Sequence, residues 1–116
     1  MFDQSHNSFK NKIMKIVKVT YTTKPEYAAN NKVNISAVMN DLQKLNNPGI
    51  NYHVCVCADD KTFIHTAFFT SDEGQKILFE LPSFKHFQEQ LKASVPETPP
   101  KNELLTLVGS SKNIFG

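Results

Sequence analysis

Hydrophobic residues recur along the chain with periods that predict alternating strands and helices. Residues 14–22 are rich in Val, Ile, Thr and Tyr, the residue types that favour a β-strand. In an extended chain Val17, Val19 and Tyr21 lie on one face, whereas Ile16 lies on the other. Both faces are partly apolar, and we therefore expect this strand to be covered on both sides.

A helix is predicted to follow this strand. Thr23 and Glu26 have capping-box spacing and Pro25 suits a first helical turn, two signals that leave the N-cap open by one residue. An apolar stripe then recurs at three- and four-residue steps, formed by Ile35, Val38, Met39, Leu42 and Leu45. The helix is expected to stop at Asn46-Asn47-Pro48-Gly49, which favours neither helix nor strand.

Residues 50–70 predict a hairpin, because two strand patterns surround a polar turn at residues 59–61. A two-residue loop pairs Val54 with His65, whereas a three-residue loop pairs Cys55 with His65. A shift of one residue moves every side chain to the other face, so the loop decides which residues share a surface. The tight loop is preferred, since it gathers an apolar face from Val54, Val56, Phe63 and Phe69.

A second helix is predicted after the hairpin. Thr70 and Glu73 again have capping-box spacing. Pro82 is expected to break this helix, because proline disrupts a helix interior. The apolar positions of the helix, and of a short continuation beyond Pro82, are Ile77, Leu78, Leu81, Phe84, Phe87 and Leu91.

The C-terminal part of the chain predicts a loop and a last strand. Residues 94–102 hold three of the six prolines and favour a surface loop. Residues 104–108 form a compact apolar run typical of a strand. We expect Ile114 and Phe115 to dock the C-terminus onto the domain.

The predicted order is strand, helix, strand, strand, helix, strand. Two βαβ-type crossovers around a hairpin give an α+β, ferredoxin-like βαββαβ domain with a four-stranded antiparallel sheet and both helices on one face. We expect this single domain to span residues 14–116. The mostly polar residues 1–13 are expected to form a flexible N-terminal extension.

The sheet face that the helices leave uncovered is not plainly polar. It carries apolar and thiol side chains among polar ones, namely Asn51, His53, Cys55, Cys57, Thr62, Ile64, Thr66 and Phe68. An exposed patch of this kind usually marks an interface. We therefore predict a homodimer in which two sheets face each other.

Composition and charge narrow the class of protein. A chain of 116 residues with 40% hydrophobic and 21% charged residues fits one folded domain. A net charge of +2 is too balanced to indicate nucleic acid or an anionic membrane as a partner, and no stretch approaches the length of a membrane span. Cys55 and Cys57 lie too far apart on one strand for easy bridging, and reduced thiols fit a cytoplasmic protein.

Three segments carry a resemblance to a known family: INYHVCVCADDKTFIHTAFFTSDEGQ, LPSFKHFQEQLK and ELLTLVGSS. Over about residues 14–111 the chain resembles the dimeric α/β-barrel superfamily, and within it the antibiotic-biosynthesis-monooxygenase-like proteins. The similarity lies in the pattern and order of elements. It implies a homodimer whose paired sheets enclose a small cavity.

Members of this superfamily include cofactor-independent monooxygenases and haem-degrading enzymes. The haem-degrading members typically use a tryptophan with an asparagine and a histidine, and this chain has no tryptophan. Haem chemistry is therefore not carried over, and we expect no cofactor.

His53 and His65 are the candidate catalytic residues. A histidine inside a cavity can act as a general base on a phenolic or enolic substrate, because its pKa lies near neutrality. The alternative for each is a hydrogen-bonded histidine of the core or of an interface. The candidate cavity-lining residues are Tyr21, Tyr52, Cys55, Cys57 and Phe68.

The two cysteines could also bind a metal ion or act as nucleophiles. Cys-x-Cys on a strand differs from the Cys-x-x-Cys turn of zinc sites, and in the preferred register His65 points away from Cys55 and Cys57. We therefore predict no metal site. A catalytic thiol needs a paired histidine, and His53 is poorly placed two residues from Cys55. Two small buried thiols are the plainer expectation.

The favoured function is that of a small homodimeric barrel, either a cofactor-independent monooxygenase-like enzyme or a binder of an apolar or aromatic compound in its cavity. The alternative is a non-catalytic ligand-binding, stress-related or assembly module. An RNA-recognition module shares the βαββαβ order, and KTFIHTAFFTSDEGQ superficially resembles its aromatic third strand. The missing glycine of that motif and the low net charge disfavour RNA binding.

Overall fold

A computed structural model describes residues 14–115 of the chain. The predicted extension at residues 1–13 lies outside the described residues. The four strands are β1 (Lys15–Thr22), β2 (Ile50–Val56), β3 (Thr62–Phe69) and β4 (Thr98–Leu105). The three α-helices are α1 (Ala28–Leu45), α2 (Asp72–Glu80) and α3 (Pro82–Ala93), and a 3-10 turn at Pro25–Tyr27 precedes α1.

The four strands form one antiparallel sheet in the order β2-β3-β1-β4. This arrangement confirms the predicted α+β, ferredoxin-like fold. Val54 pairs with His65 and Cys55 with Ile64, so the preferred register is also confirmed. The loop is longer than the predicted two residues, because the last bond of the hairpin runs from the Cys57 N–H to the Thr62 carbonyl and leaves residues 58–61 in the loop. The turn is closed by a hydrogen bond from the Asp60 N–H to the Cys57 carbonyl, and Asp60 takes a left-handed φ of 61°.

The hydrophobic core lies between the helices and one face of the sheet, which we call the inner face. The inner face contributes Tyr21, Phe63 and Phe69, each with 1% of its surface exposed, together with Ala67. The helices supply the other buried side chains of the core, namely Ala28, Val38, Leu78, Phe84, Phe87 and Leu91. The predicted apolar stripe of α1 is confirmed at Val38 but is wrong at Leu45, which is 45% exposed at the helix end.

The helices that follow β1 and β3 were each expected to begin with a capping box, and this prediction is wrong. No side-chain capping bond is present at the start of the 3-10 turn or at Ser71, the N-cap of α2. Thr23 is instead fully buried, and its N–H donates to the Lys61 carbonyl at 2.9 Å. Because that bond ties the end of β1 to the hairpin turn, Thr23 serves the sheet and not the helix.

The predicted boundaries of the last strand are also wrong. β4 begins at Thr98, inside the predicted loop, and ends at Leu105, before the predicted end. Prolines are tolerated in an edge strand, and Pro99 and Pro100 lie where the pairing of β4 with β1 shifts register. The strand ends at Leu105 because its partner is Ile16, near the start of β1.

The C-terminal segment contacts the other sheet face, which we call the outer face. The Asn51 side chain donates a hydrogen bond to the Ile114 carbonyl at 2.6 Å, and Ile114 and Phe115 are half-buried, as expected. None of the helices between residues 14 and 115 combines the length and apolar character needed to cross a membrane.

Candidate functional site

A large cavity lies between the inner face of the sheet and helices α2 and α3. Its volume is about 920 Å³, which is within the range of small-molecule sites. Most of its wall is apolar, and the apolar lining includes Val17, Val19, Leu78, Phe84, Phe87 and Leu91. Pro96, Pro99 and Pro100 close the side where the chain enters β4.

Four polar side chains are linked by hydrogen bonds at the inner end of this cavity. The Tyr21 hydroxyl lies 2.8 Å from His65 Nε2, and the Tyr52 hydroxyl lies 2.6 Å from His65 Nδ1. Asn31 Nδ2 donates to the Tyr21 hydroxyl at 2.8 Å. The resulting chain runs Asn31–Tyr21–His65–Tyr52, and we call it the polar chain. Tyr21, His65 and Tyr52 line the cavity, whereas Asn31 lies behind them.

The strand register explains how the two tyrosines meet one histidine. Tyr21 pairs with Phe63 and Tyr52 pairs with Ala67, so both tyrosines are diagonal neighbours of His65 on the central strand. Diagonal neighbours on one face are within reach of long aromatic side chains. The Tyr21 ring also stacks on Phe63, with centroids 5.5 Å apart, and this contact fixes its hydroxyl beside His65.

The histidine is neutral in the folded protein at neutral pH. His65 is only 4% exposed, and burial lowers its pKa from 6.5 to about 4. Burial likewise raises the pKa of Tyr21 and of Tyr52 above the ordinary tyrosine value. All three groups are therefore uncharged at pH 7, as an apolar cavity requires.

The polar chain limits what His65 can do directly. Both of its ring nitrogens are engaged by tyrosine hydroxyls, so neither nitrogen can bond a molecule in the cavity while these hydrogen bonds are kept. A neutral imidazole with a pKa near 4 is also a weak base. The arrangement is suited to holding an oxygen atom of a ligand by a hydrogen bond, with His65 orienting Tyr52.

The rim of the cavity is more polar than its interior. Lys15 Nζ donates to Gln75 Oε1 at 2.8 Å, and both residues belong to the lining together with Lys92. Val95, also at the rim, has a φ of 55°. A positive φ is strained for a β-branched residue, and such strain is common beside functional sites.

The structure separates the sequence-predicted site residues onto two faces of the sheet. His65, Tyr21 and Tyr52 come together in the cavity. His53, Cys55 and Phe68 lie on the outer face, where the His53 and Phe68 rings are 6.4 Å apart. Successive residues of a strand point to opposite faces, and this alternation makes the division.

The cysteines were expected to be buried, and this prediction is wrong. Cys55 and Cys57 are both free and exposed, because β2 is an edge strand and Cys57 lies beyond its end. Among the described residues, no three His, Cys, Asp or Glu side chains gather closely enough to hold a metal ion.

Asn31 is the member of the polar chain that was not predicted from the sequence. It lies four residues before Ile35 and seven before Val38, on the stripe that α1 turns toward the core. Its polar side chain on a buried stripe could have identified it, since a buried polar side chain needs a hydrogen-bond partner inside the protein.

The sequence matches no protein-family model and none of the curated proteins. Its fold matches solved structures of the antibiotic biosynthesis monooxygenase type. SnoaB, a cofactor-independent oxygenase from Streptomyces nogalater, superposes with a TM-score of 0.65 at 14% identity, covering 87% of this chain and 99% of SnoaB. A candidate antibiotic biosynthesis monooxygenase from Caulobacter crescentus gives 0.70 at 18% identity, covering 91% and 100%. Rv0793 from Mycobacterium tuberculosis gives 0.70 at 12% identity, covering 85% and 99%.

The buried neutral His65 predicts a loss of stability in acid. The unfolded chain protonates this group near pH 6.5, and the folded chain does so only near pH 4. Unfolding therefore takes up a proton between these values, and stability present above pH 6.5 falls by about 3 kcal/mol as the pH is lowered through that window. Urea unfolding at several pH values measures this slope. His65→Gln should reduce the slope and the exposed His86→Gln should keep it; equal slopes in both variants would contradict the assignment.

Proposed function

We propose that this protein binds a small, apolar aromatic molecule in the cavity between its sheet and its helices. The observation that carries the proposal is the cavity of about 920 Å³, apolar along most of its wall and supplied with one group of convergent hydroxyls. Predominantly apolar walls with a few well-placed polar groups are typical of small-molecule sites.

The aromatic lining favours a planar ligand. The Phe84 ring has two aromatic neighbours: its centroid lies 5.6 Å from that of Phe79 and 5.7 Å from that of Phe87. The Tyr52 and Phe84 rings meet in an edge-to-face arrangement, with their centroids 6.5 Å apart. Aromatic rings favour offset-stacked and edge-to-face contacts with further rings, so this wall suits an aromatic guest.

A second function follows from the fold and the polar chain together. The fold matches that of SnoaB, which is a cofactor-independent oxygenase. In such a reaction here, the electron-rich substrate would react with dioxygen, one oxygen atom entering the substrate and the other leaving as water with two protons and two electrons that the substrate itself gives up. With the imidazole proton on Nδ1, the Tyr52 hydroxyl would donate a hydrogen bond to a phenolate or enolate oxygen in the cavity and so stabilise a substrate anion.

We also infer that two copies associate through their outer sheet faces. Ile64, Phe68 and Leu105 belong to this face, and Leu105 is 42% exposed. The helices pack on the inner face only, so this apolar surface has no cover from them in one chain. A second copy of the same face would bury it symmetrically.

Ligand binding can be tested by filling the cavity. Val19 lines its floor beside His65, and Val19→Trp should weaken binding of the neutral fluorophore N-phenyl-1-naphthylamine at least about ten-fold, because the larger side chain occupies the site. Fluorescence titration measures this affinity. Val33→Trp is the matched control. Val33 is 67% exposed on α1, so this variant should bind the fluorophore as the unchanged protein does. Equal binding by both variants would place the ligand outside the cavity.

Oxygenase activity can be tested with a panel of quinols and polyphenols in an oxygen electrode. We expect oxygen uptake above the buffer rate without added metal or flavin, and a fall of about 100-fold in Tyr52→Phe, because the anion loses its hydrogen-bond donor. Tyr27→Phe is the control, since Tyr27 bonds Asn34 and does not line the cavity. Saturable ligand binding without oxygen uptake for any compound would refute the oxygenase function and leave the binding function.

Association of two copies can be tested by placing a charge on the outer face. Light scattering at micromolar concentration should give twice the mass of one chain for the unchanged protein and one chain mass for Ile64→Asp, because a carboxylate would have to be buried in the interface. Val33→Asp introduces the same charge on an exposed helix position and should remain dimeric. A monomeric unchanged protein would overturn the inference.

A further inference from the structure

The buried asparagine at one end of the polar chain has an unusual environment. Asn31 is 0% exposed and lies in the first turns of α1. Its Nδ2 donates to the Tyr21 hydroxyl, whereas its Oδ1 is buried with no hydrogen-bond partner among residues 14–115. It does not line the cavity, and any effect it has on a ligand must pass through Tyr21 and His65.

A donor at this position sets the direction of every hydrogen bond that follows. The Tyr21 oxygen accepts from Asn31, so the single Tyr21 proton is free to point at His65 Nε2. A neutral imidazole carries one proton, and an Nε2 that accepts leaves that proton on Nδ1. His65 Nδ1–H then donates to the Tyr52 oxygen, and the Tyr52 proton is left for the cavity.

The opposite tautomer is disfavoured by the same contacts. If Nε2 carried the proton, the Tyr21 oxygen would accept from both Asn31 and His65. Tyr21 is only 1% exposed, and with Asn31 Nδ2 directed at its oxygen, the Tyr21 proton would then be buried without an acceptor among the described side chains that contact it. An unmade bond of a buried donor lowers the population of that state by a factor of about ten or more.

We propose that Asn31 is a positioning residue that fixes His65 as the Nδ1–H tautomer and thereby makes Tyr52 a hydrogen-bond donor to the cavity. The ligand class that follows is an aromatic molecule with an acceptor oxygen, a carbonyl or an oxyanion, at the end that reaches Tyr52. The ligand part rests on the proposed binding function; the tautomer part does not. Burial supports the argument, because it lowers the pKa of His65 to about 4 and keeps the ring neutral.

Nitrogen-15 NMR of histidine-labelled protein reads the tautomer directly. In the unchanged protein we expect His65 Nδ1 to resonate as a protonated nitrogen and Nε2 as an unprotonated one, with His65→Gln identifying the signals. Burial raises the pKa of a carboxyl introduced here, so the Asn31→Asp spectrum is recorded at alkaline pH, where the aspartate is ionised and only accepts. The variant should then turn the Tyr21 proton away from His65 and move the imidazole proton to Nε2. Asn34→Asp, the matched control, makes the same change where the amide contacts Tyr27 and should leave the tautomer unchanged.

The spectrum of the unchanged protein can overturn the first half of the proposal without any variant. An Nε2–H tautomer there would overturn it, whether or not Asn31→Asp folds. Asn31→Leu provides a second variant that removes the donor without adding charge, and we expect the two tautomers to become comparably populated. A tautomer that stays on Nδ1 in both Asn31 variants would show that another group fixes it, which also overturns the proposal.

A pair of ligands of equal shape tests the second half. 2-Acetylnaphthalene offers a carbonyl oxygen, whereas 2-ethylnaphthalene offers none. We expect the unchanged protein to prefer the ketone by about five-fold, and Asn31→Asp to lose this preference, because one hydrogen bond is gained or lost. Equal affinities in the unchanged protein would overturn the donor role of Tyr52. Failure of both compounds to bind, with the tautomer on Nδ1, would refute the proposed binding function while supporting the role of Asn31.

Discussion

The rest of the site depends on the alignment of three neighbouring strands at His65. Its ring is held by Tyr21 from β1 and by Tyr52 from β2, each reaching diagonally across the inner face of the sheet. A slip of one residue in either pairing would carry one tyrosine to the outer face and leave an imidazole nitrogen buried without a partner. The hydrogen bonds that shape the cavity therefore also oppose errors of register in the sheet.

Neutrality is the second constraint, and it follows from where the polar chain lies. The cavity walls are largely apolar, so a charge on His65 would be poorly solvated. The protein satisfies this polar cluster with hydrogen bonds among uncharged groups. The same condition that lets an imidazole exist in the core makes it a poor proton acceptor. In the proposed function, its role is to orient the Tyr52 hydroxyl.

Much of this arrangement could be predicted from the sequence. The order of strands along the chain, the hairpin register and the shared face of Val17, Val19 and Tyr21 follow from alternation and turn length, which are local signals. The bounds of β4 were predicted wrongly because prolines normally indicate a loop. Prolines are tolerated in an edge strand, but the sequence alone does not say which strand lies at the edge of the sheet. Asn31 was missed because its partner is ten residues away on another element, and only the packing of α1 against the sheet brings the two together. The cavity depends on the same packing.

The alternation along β2 and β3 has a consequence for how such a protein can diversify. On β3, His65 and Phe69 face the helices, while Ile64 and Phe68 face outward, and no residue serves both surfaces. Substitutions that reshape the cavity can therefore accumulate on alternate positions while the outer surface stays the same. The proposed ligand site and the proposed self-association surface can therefore change independently, because they occupy alternate positions of the same strands.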